Sequence, residues 1–82
     1  MVKIRLSLYG SKKKPFYKII IANSKSPRDG KFIEKIGFYN PFSKDIKKKI
    51  KLNINRVQHW IKNGAITTKK VKTLIKDYYK NL

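Results

Sequence analysis

Cysteine is absent from this sequence, and acidic side chains and histidine are scarce. Without cysteine the chain forms no disulfide and offers no thiolate to a metal ion. The only acids are Asp29, Glu34, Asp45 and Asp77, and the only histidine is His59. Because no two acids lie at metal-ligand spacing, the carboxylate cluster of a metal-dependent nuclease is missing. We therefore expect no metal, no cofactor and no enzymatic activity.

Long apolar runs are also missing. None approaches the roughly 20 residues that a membrane span needs, and Met1-Val2-Lys3 opens directly into a strand-like pattern without a signal-peptide core. Lysines occur in every segment, whereas membrane-binding proteins usually concentrate them on one helix face. These patterns predict a cytoplasmic protein, or one encoded and retained in an organelle, with no membrane partner.

Positive charge is the most abundant feature of the chain. Its 82 residues include 22 Lys and Arg against four acids, which gives a formal net charge of +18. Solubility requires a net charge of only about 2 to 8 in a small domain. With 40% hydrophobic residues, the chain is too apolar for a disordered basic tail. We expect one folded domain over residues 1–82 that binds a polyanion and no small-molecule substrate.

The first half of the sequence has strand character. Residues 2–9 alternate between apolar and mainly basic or polar side chains, the pattern of a half-buried strand with a basic outer face. Phe16 to Ala22 is an almost continuous apolar run and predicts a central strand. A turn at Asp29-Gly30 precedes a third strand, from about Lys31 to Tyr39. Residues 42–49 are expected to form a connection, and residues 50–52 a short edge strand.

The second half has helical periodicity. Apolar residues from Ile54 to Ile61 recur at helical spacing, with Asn53 as the expected N-cap and Gly64 just beyond the C-terminus. A second apolar stripe runs from Val71 to Tyr79. Strands followed by helices predict an α+β fold, with a small sheet and two C-terminal helices packed against it.

Phosphate is the chemical group that the basic residues fit best. The planar guanidinium groups of arginine suit bidentate phosphate contacts, and two lysines in the first turn of the last helix would be favourable only beside an anion. Tyr9 and Tyr17 are candidates for exposed rings that stack on bases. The candidate RNA-binding residues are Lys3, Arg5, Lys12, Lys13, Lys14, Lys25, Arg28, Lys31, Arg56, Lys69 and Lys70.

Three functions are compatible with these features. A structural protein of the ribosome would bind folded RNA, a nucleoid or chaperone-type protein would bind duplex DNA about as well, and a small nuclease would depend on Asp29, Glu34 or Asp77. Selective binding of folded RNA distinguishes the first function from the second.

Several motifs together resemble the bacterial small-subunit ribosomal protein S16 family along nearly the whole chain. The resemblance lies in Met1-Val2-Lys3-Ile4-Arg5-Leu6, Pro15-Phe16-Tyr17, Arg28-Asp29-Gly30-Lys31, Gly37-Phe38-Tyr39-Asn40-Pro41 and Asn63-Gly64-Ala65. It implies a mixed sheet of four to five strands, binding to the 5′ domain of 16S ribosomal RNA in the 30S subunit, neighbouring ribosomal proteins, a role in subunit assembly and translation, and no catalysis. The family commonly has a basic residue where this chain has Leu8, so the contact expected there is lost.

Overall fold

A computed structural model describes residues 1–10, 15–26 and 31–80 of the chain. Within these ranges the chain forms five strands and three helices. In chain order they are β1 (Val2–Gly10), β2 (Pro15–Asn23), β3 (Glu34–Tyr39), α1 (Ile46–Lys49), β4 (Ile50–Leu52), α2 (Ile54–Lys62), β5 (Ile66–Thr67) and α3 (Lys69–Lys80).

The five strands form one sheet in the order β4-β3-β2-β1-β5. Four strands pair antiparallel in sequence from β1 to β4, and β5 pairs parallel with the other edge of β1. The sheet is therefore mixed, and the predicted α+β fold with four to five strands is confirmed. The apolar run in β2 lies at the centre of the sheet, as expected, and the lysine-flanked β4 lies at one edge.

Helices α2 and α3 bury one face of the sheet. Ile4, whose neighbours in β1 are Lys3 and Arg5, is fully buried on this side, which confirms the alternation predicted for the strand. Full burial of an isoleucine side chain contributes about 1.5 to 3 kcal/mol. The core consists of Ile4, Ile19, Ile21, Ile36, Tyr39, Ile50, Val57, Val71 and Leu74.

Both ends of α2 have the predicted caps. The side chain of Asn53 accepts a hydrogen bond from the backbone N–H of Arg56, as an N-cap does. At the other end, Gly64 has a φ of +92°, and hydrogen bonds run from Gly64 N–H to the Ile61 carbonyl and from Ala65 N–H to the Trp60 carbonyl. This pair of bonds is a Schellman motif, which a glycine permits because it lacks a Cβ.

A β-bulge changes the alternation of β3. Ile19 pairs with Gly37, but the next residue, Ile20, pairs with Lys35, so Ile36 is an extra residue on β3. A bulge of this kind moves the side chains beyond it to the opposite face. As a result Lys35 lies on the same side of the sheet as Phe38, the side away from the helices.

Some expectations from the sequence were wrong in detail. The third strand begins at Glu34, later than predicted, and the connection over residues 42–49 contains the one-turn helix α1. That turn forms because the Asp45 carbonyl accepts hydrogen bonds from the N–H groups of Lys48 and Lys49. Strand β5 was not predicted, because two residues are too few to show a period. The expected turn at Asp29-Gly30 lies outside the described residues.

Candidate nucleic-acid interface

The face of the sheet opposite the helices carries most of the basic side chains on the strands. Residues directly opposite each other in antiparallel strands share a face, so the pairs Arg5 with Ile20 and Lys18 with Phe38 lie away from the core. We call this surface the open face. Its residues are Lys3, Arg5, Ser7, Tyr9, Phe16, Lys18, Ile20, Ala22, Lys35, Phe38 and Lys51.

Part of the open face is not exposed to solvent. Ile20 and Ala22 are fully buried although they lie outside the core beneath the helices. Arg5 Nη2 donates a 2.9 Å hydrogen bond to the Ser26 carbonyl, and Ile33 N–H donates one of 2.7 Å to the Ile21 carbonyl. Arg5, a predicted RNA-binding residue, therefore also anchors the backbone at Ser26 to the sheet.

Aromatic rings cross the open face from β1 to β3. The ring centroids of Tyr9 and Phe16 are 5.6 Å apart, and those of Phe16 and Phe38 are 5.5 Å apart. Lys18 Nζ lies 4.4 Å from the Tyr9 ring centroid, and Lys35 Nζ lies 4.5 Å from that of Phe38. Such contacts place each ammonium over the negative face of a ring, which attracts it electrostatically.

No acidic residue of the described segments belongs to the open face. Glu34 pairs in register with Ile21, a core residue, and so points to the helix side. Asp45 precedes α1, and Asp77 is on α3. The strands thus place five cations, Lys3, Arg5, Lys18, Lys35 and Lys51, on one surface that carries none of the acids of the described residues, and a polyanion is the complementary partner.

Arg56 is bound to a carboxylate on the helix side. Its Nε and Nη2 donate hydrogen bonds of 2.7 and 2.6 Å to the two carboxylate oxygens of Glu34. The Arg56 guanidinium holds the pKa of Glu34 below its usual 4.5, and the carboxylate raises the pKa of Arg56. An RNA contact of Arg56 stays a prediction, and it would have to use donors not engaged by Glu34.

Lys69 and Lys70 lie in the first turn of α3, as predicted, but on the helix side of the sheet. Thr68 Oγ1 caps this helix by accepting a 3.4 Å hydrogen bond from Val71 N–H. Lys70 Nζ lies 5.5 Å from the ring centroid of Tyr39, a core residue. The two lysines are therefore separated from Lys3 and Arg5 by the thickness of the sheet.

The remaining predicted residues divide into two groups. Lys25 and Lys31 are exposed between β2 and β3. Predicted contacts at Lys12, Lys13, Lys14 and Arg28 fall outside the described residues. Among the candidate residues that the structure describes, Lys3 and Arg5 lie on the open face, Arg56 lies on α2, and Lys69 and Lys70 lie at the start of α3.

Sequence reasoning missed the residues at the centre of the open face. Phe16 and Lys18 are two positions apart in β2. Because residues at this spacing lie on the same face of a strand, the lysine within the apolar run could have indicated a second face outside the core. Lys35 had no such signal, because its position depends on the bulge at Ile36. Tyr9 is exposed as predicted, whereas Tyr17 packs against the core and stacks on Tyr39. Leu8 is 37% exposed at the end of β1.

The described residues also lack two other kinds of feature, a metal-ligand cluster and a membrane-spanning helix. In residues 1–10, 15–26 and 31–80 no three His, Cys, Asp or Glu side chains are grouped as metal ligands. None of the helices in the same ranges has the length and apolar character needed to cross a membrane.

The fold and the charge distribution define a small, strongly basic α+β protein whose mixed sheet has one helix-covered face and one cationic face. Residues 8–68 match the family model described as Ribosomal protein S16. The chain belongs to the ribosomal protein S16 family.

Relatives in this family are similar over almost the entire chain. Small ribosomal subunit protein bS16 of Buchnera aphidicola subsp. Cinara cedri is 52% identical over 80 residues, covering 98% of this chain and 91% of the relative. The protein of the same name from Histophilus somni is 50% identical over 80 residues, with 98% of each chain covered. That of Stenotrophomonas maltophilia is 53% identical over 81 residues, covering 99% of this chain and 94% of the relative.

Proposed function

We propose that the protein is a structural constituent of the small ribosomal subunit with no catalytic role, located in the ribosome and in contact with ribosomal RNA and other subunit proteins. One observation carries this proposal: relatives about half identical to it over nearly their full length are named small ribosomal subunit protein bS16. A net charge of +18 suits a protein that neutralises closely packed phosphates.

The finer part of the proposal concerns the RNA site. We infer binding to the 5′ domain of 16S ribosomal RNA, which the family resemblance implies, with the open face and the start of α3 as the two contact surfaces. Each Lys or Arg that neutralises a phosphate releases condensed counterions and so favours association. Because the two surfaces lie on opposite sides of the sheet, the protein would contact two RNA segments and fix their relative position during assembly.

Sedimentation of cell lysate through sucrose gradients tests the subunit assignment. The protein, followed by mass spectrometry, is expected to migrate with small subunits and to remain there after a moderate salt wash. Its appearance in the free or DNA-bound fractions would overturn the assignment and favour a nucleoid protein.

Binding measurements with purified protein test the RNA site. Transcripts of the 5′ domain and of another 16S domain of similar length are compared with duplex DNA at one fixed salt concentration. We expect tighter binding to the 5′ domain transcript. Equal affinity for all three nucleic acids would contradict a specific site, since charge alone does not distinguish them.

A further inference from the structure

Two residues of the open face, Tyr9 and Lys18, form a cluster with Phe32, which precedes β3, and phosphate neutralisation alone does not require this cluster. Tyr9 is 54% exposed and Phe32 is 42% exposed. Lys18 Nζ lies 4.4 Å from the Tyr9 ring centroid and 5.8 Å from that of Phe32. We call these three residues, Tyr9, Lys18 and Phe32, the ring subsite. Two half-exposed rings thus share one ammonium group.

The chemistry of this cluster fits a nucleotide better than it fits a phosphate. An aromatic ring offers a flat apolar surface on which any base can stack, and a neighbouring cation can bind the phosphate attached to that base. In an RNA duplex the bases are stacked on each other and their faces are inaccessible. A ring on a sheet surface can therefore stack only on an unpaired base.

We propose that the ring subsite binds an unpaired nucleotide of RNA, with the base stacked on Tyr9 and its phosphate against Lys18. This inference rests on the proposed function and deepens it, because it states which RNA structure the open face selects. Phe32 supplies a second ring for an adjacent base. The absence of any acidic residue from the open face, as defined by its residues above, favours an anionic partner over an apolar protein surface.

A fluorescent RNA probe reports stacking directly. The full chain is titrated into a single-stranded uridine octamer in which one central base is 2-aminopurine, whose emission falls when it stacks. The same octamer with an abasic site at that position lacks the stacking group but keeps every phosphate. A transcript of the 5′ domain, measured alongside, tests the proposed function separately from the octamer.

The variants are chosen so that the fold is preserved. Tyr9→Leu removes the ring from an exposed position, and Tyr79→Leu is its matched control because Tyr79 is 44% exposed on α3. Lys18→Gln keeps both rings and removes the shared charge. Circular dichroism shows whether each variant is folded. If Tyr9→Leu does not fold, Phe32→Leu provides a second variant from which one ring has been removed.

We expect the wild-type protein to quench the 2-aminopurine emission of the octamer. Tyr9→Leu should bind the octamer about tenfold more weakly than the wild type does, in line with the contribution of one stacked base. Tyr79→Leu should bind like the wild type. The wild type should bind the abasic octamer more weakly than the intact octamer. Tyr9→Leu should bind the two octamers with equal affinity. Lys18→Gln should weaken binding of both octamers equally.

Two results would overturn the inference. If Tyr9→Leu and Phe32→Leu bind and quench the octamer as the wild type does, the rings do not stack on the base. If the abasic penalty persists in Tyr9→Leu, the base stacks elsewhere. Either result together with tight wild-type binding to the 5′ domain transcript removes this inference alone, whereas loss of binding to that transcript removes the proposed function as well.

Discussion

Arg56 on α2 binds both carboxylate oxygens of Glu34 on β3, so this carboxylate is paired on the helix side of the sheet. The two residues are joined by hydrogen bonds of 2.7 and 2.6 Å across 22 positions of sequence. This pair leaves the opposite face of β3 with Lys35 and Phe38 and without a carboxylate. The ion pair therefore helps to attach α2 to the sheet and to keep the two faces electrostatically different.

The pH dependence of unfolding should reveal this ion pair. Because Arg56 lowers the pKa of Glu34 in the folded protein, the pair contributes stability above the unfolded pKa of Glu34 that is lost as the pH falls through the folded value. Glu34→Gln should lower Tm near pH 7, and its difference from the wild type should shrink toward about pH 2. A Tm difference independent of pH in thermal melts would contradict the assignment.

Gly37 permits β3 and β4 to pair closely. A Cβ at this position would collide with the Lys51 carbonyl oxygen and lie 3.0 Å from Leu52 Cδ2. Gly37→Ala should lower the free energy of unfolding by about 1 to 3 kcal/mol, because the backbone of β4 must move. Urea denaturation measures the change, and a variant as stable as the wild type would show that β4 shifts at no cost.

Gly64 provides a matched control for this glycine. Nothing lies within 4 Å of a Cβ built there, but its φ is +92°, so Gly64→Ala should cost about 1 to 2 kcal/mol through backbone strain alone. Asparagine adopts positive φ more readily than alanine. Gly64→Asn should therefore recover part of the loss, whereas Gly37→Asn should be less stable than Gly37→Ala.

Lys51 should contribute one phosphate contact through the open face. It is exposed on β4 and pairs across the strands with Phe38. Lys51→Gln should weaken binding to the 5′ domain transcript and reduce the slope of log affinity against log salt by about 0.7 to 0.9. Lys62→Gln, at the exposed end of α2, is the control, because it removes the same single positive charge from a different surface. Equal slopes for the two variants would show that charge acts without regard to position.

The start of α3 should be more stable with a negative charge in place of Lys69. Cations in the first turn oppose the helix dipole, so Lys69→Glu should add about 0.3 to 1 kcal/mol to the free energy of unfolding. Lys70→Glu should add less, because it also removes the contact with the Tyr39 ring.

Both variants should bind the 5′ domain transcript more weakly. If Lys69→Ala and Lys70→Ala leave that affinity unchanged, this surface does not contact RNA.

Local patterns in the sequence predicted the elements that depend on neighbouring residues. The alternation around Ile4 in β1 and the caps at Asn53 and Gly64 are of this kind, since each rests on residues within one turn or strand. The face occupied by Lys35 could not be predicted, because the bulge that places it depends on pairing between β2 and β3. Tyr17 packs inward for a similar reason: its stacking partner, Tyr39, lies on another strand.

The same limit applied to the candidate site. Charged residues could be identified as RNA-binding candidates from composition, but their division between two surfaces follows from the sheet and the helix that starts at Lys69. The bidentate pairing of Arg56 with Glu34 was also hidden, since their spacing of 22 residues corresponds to no local pattern.

The parallel pairing of β5 with β1 determines when folding can finish during synthesis. Lys3 and Ile4 pair with Ile66 and Thr67, so the first strand gains its second neighbour only after most of the chain has been made. Contacts between residues so distant in sequence form slowly, because a long loop must close first. The edge of the first strand that faces β5 therefore stays unpaired until residues 66 and 67 have been synthesised and have folded back beside it.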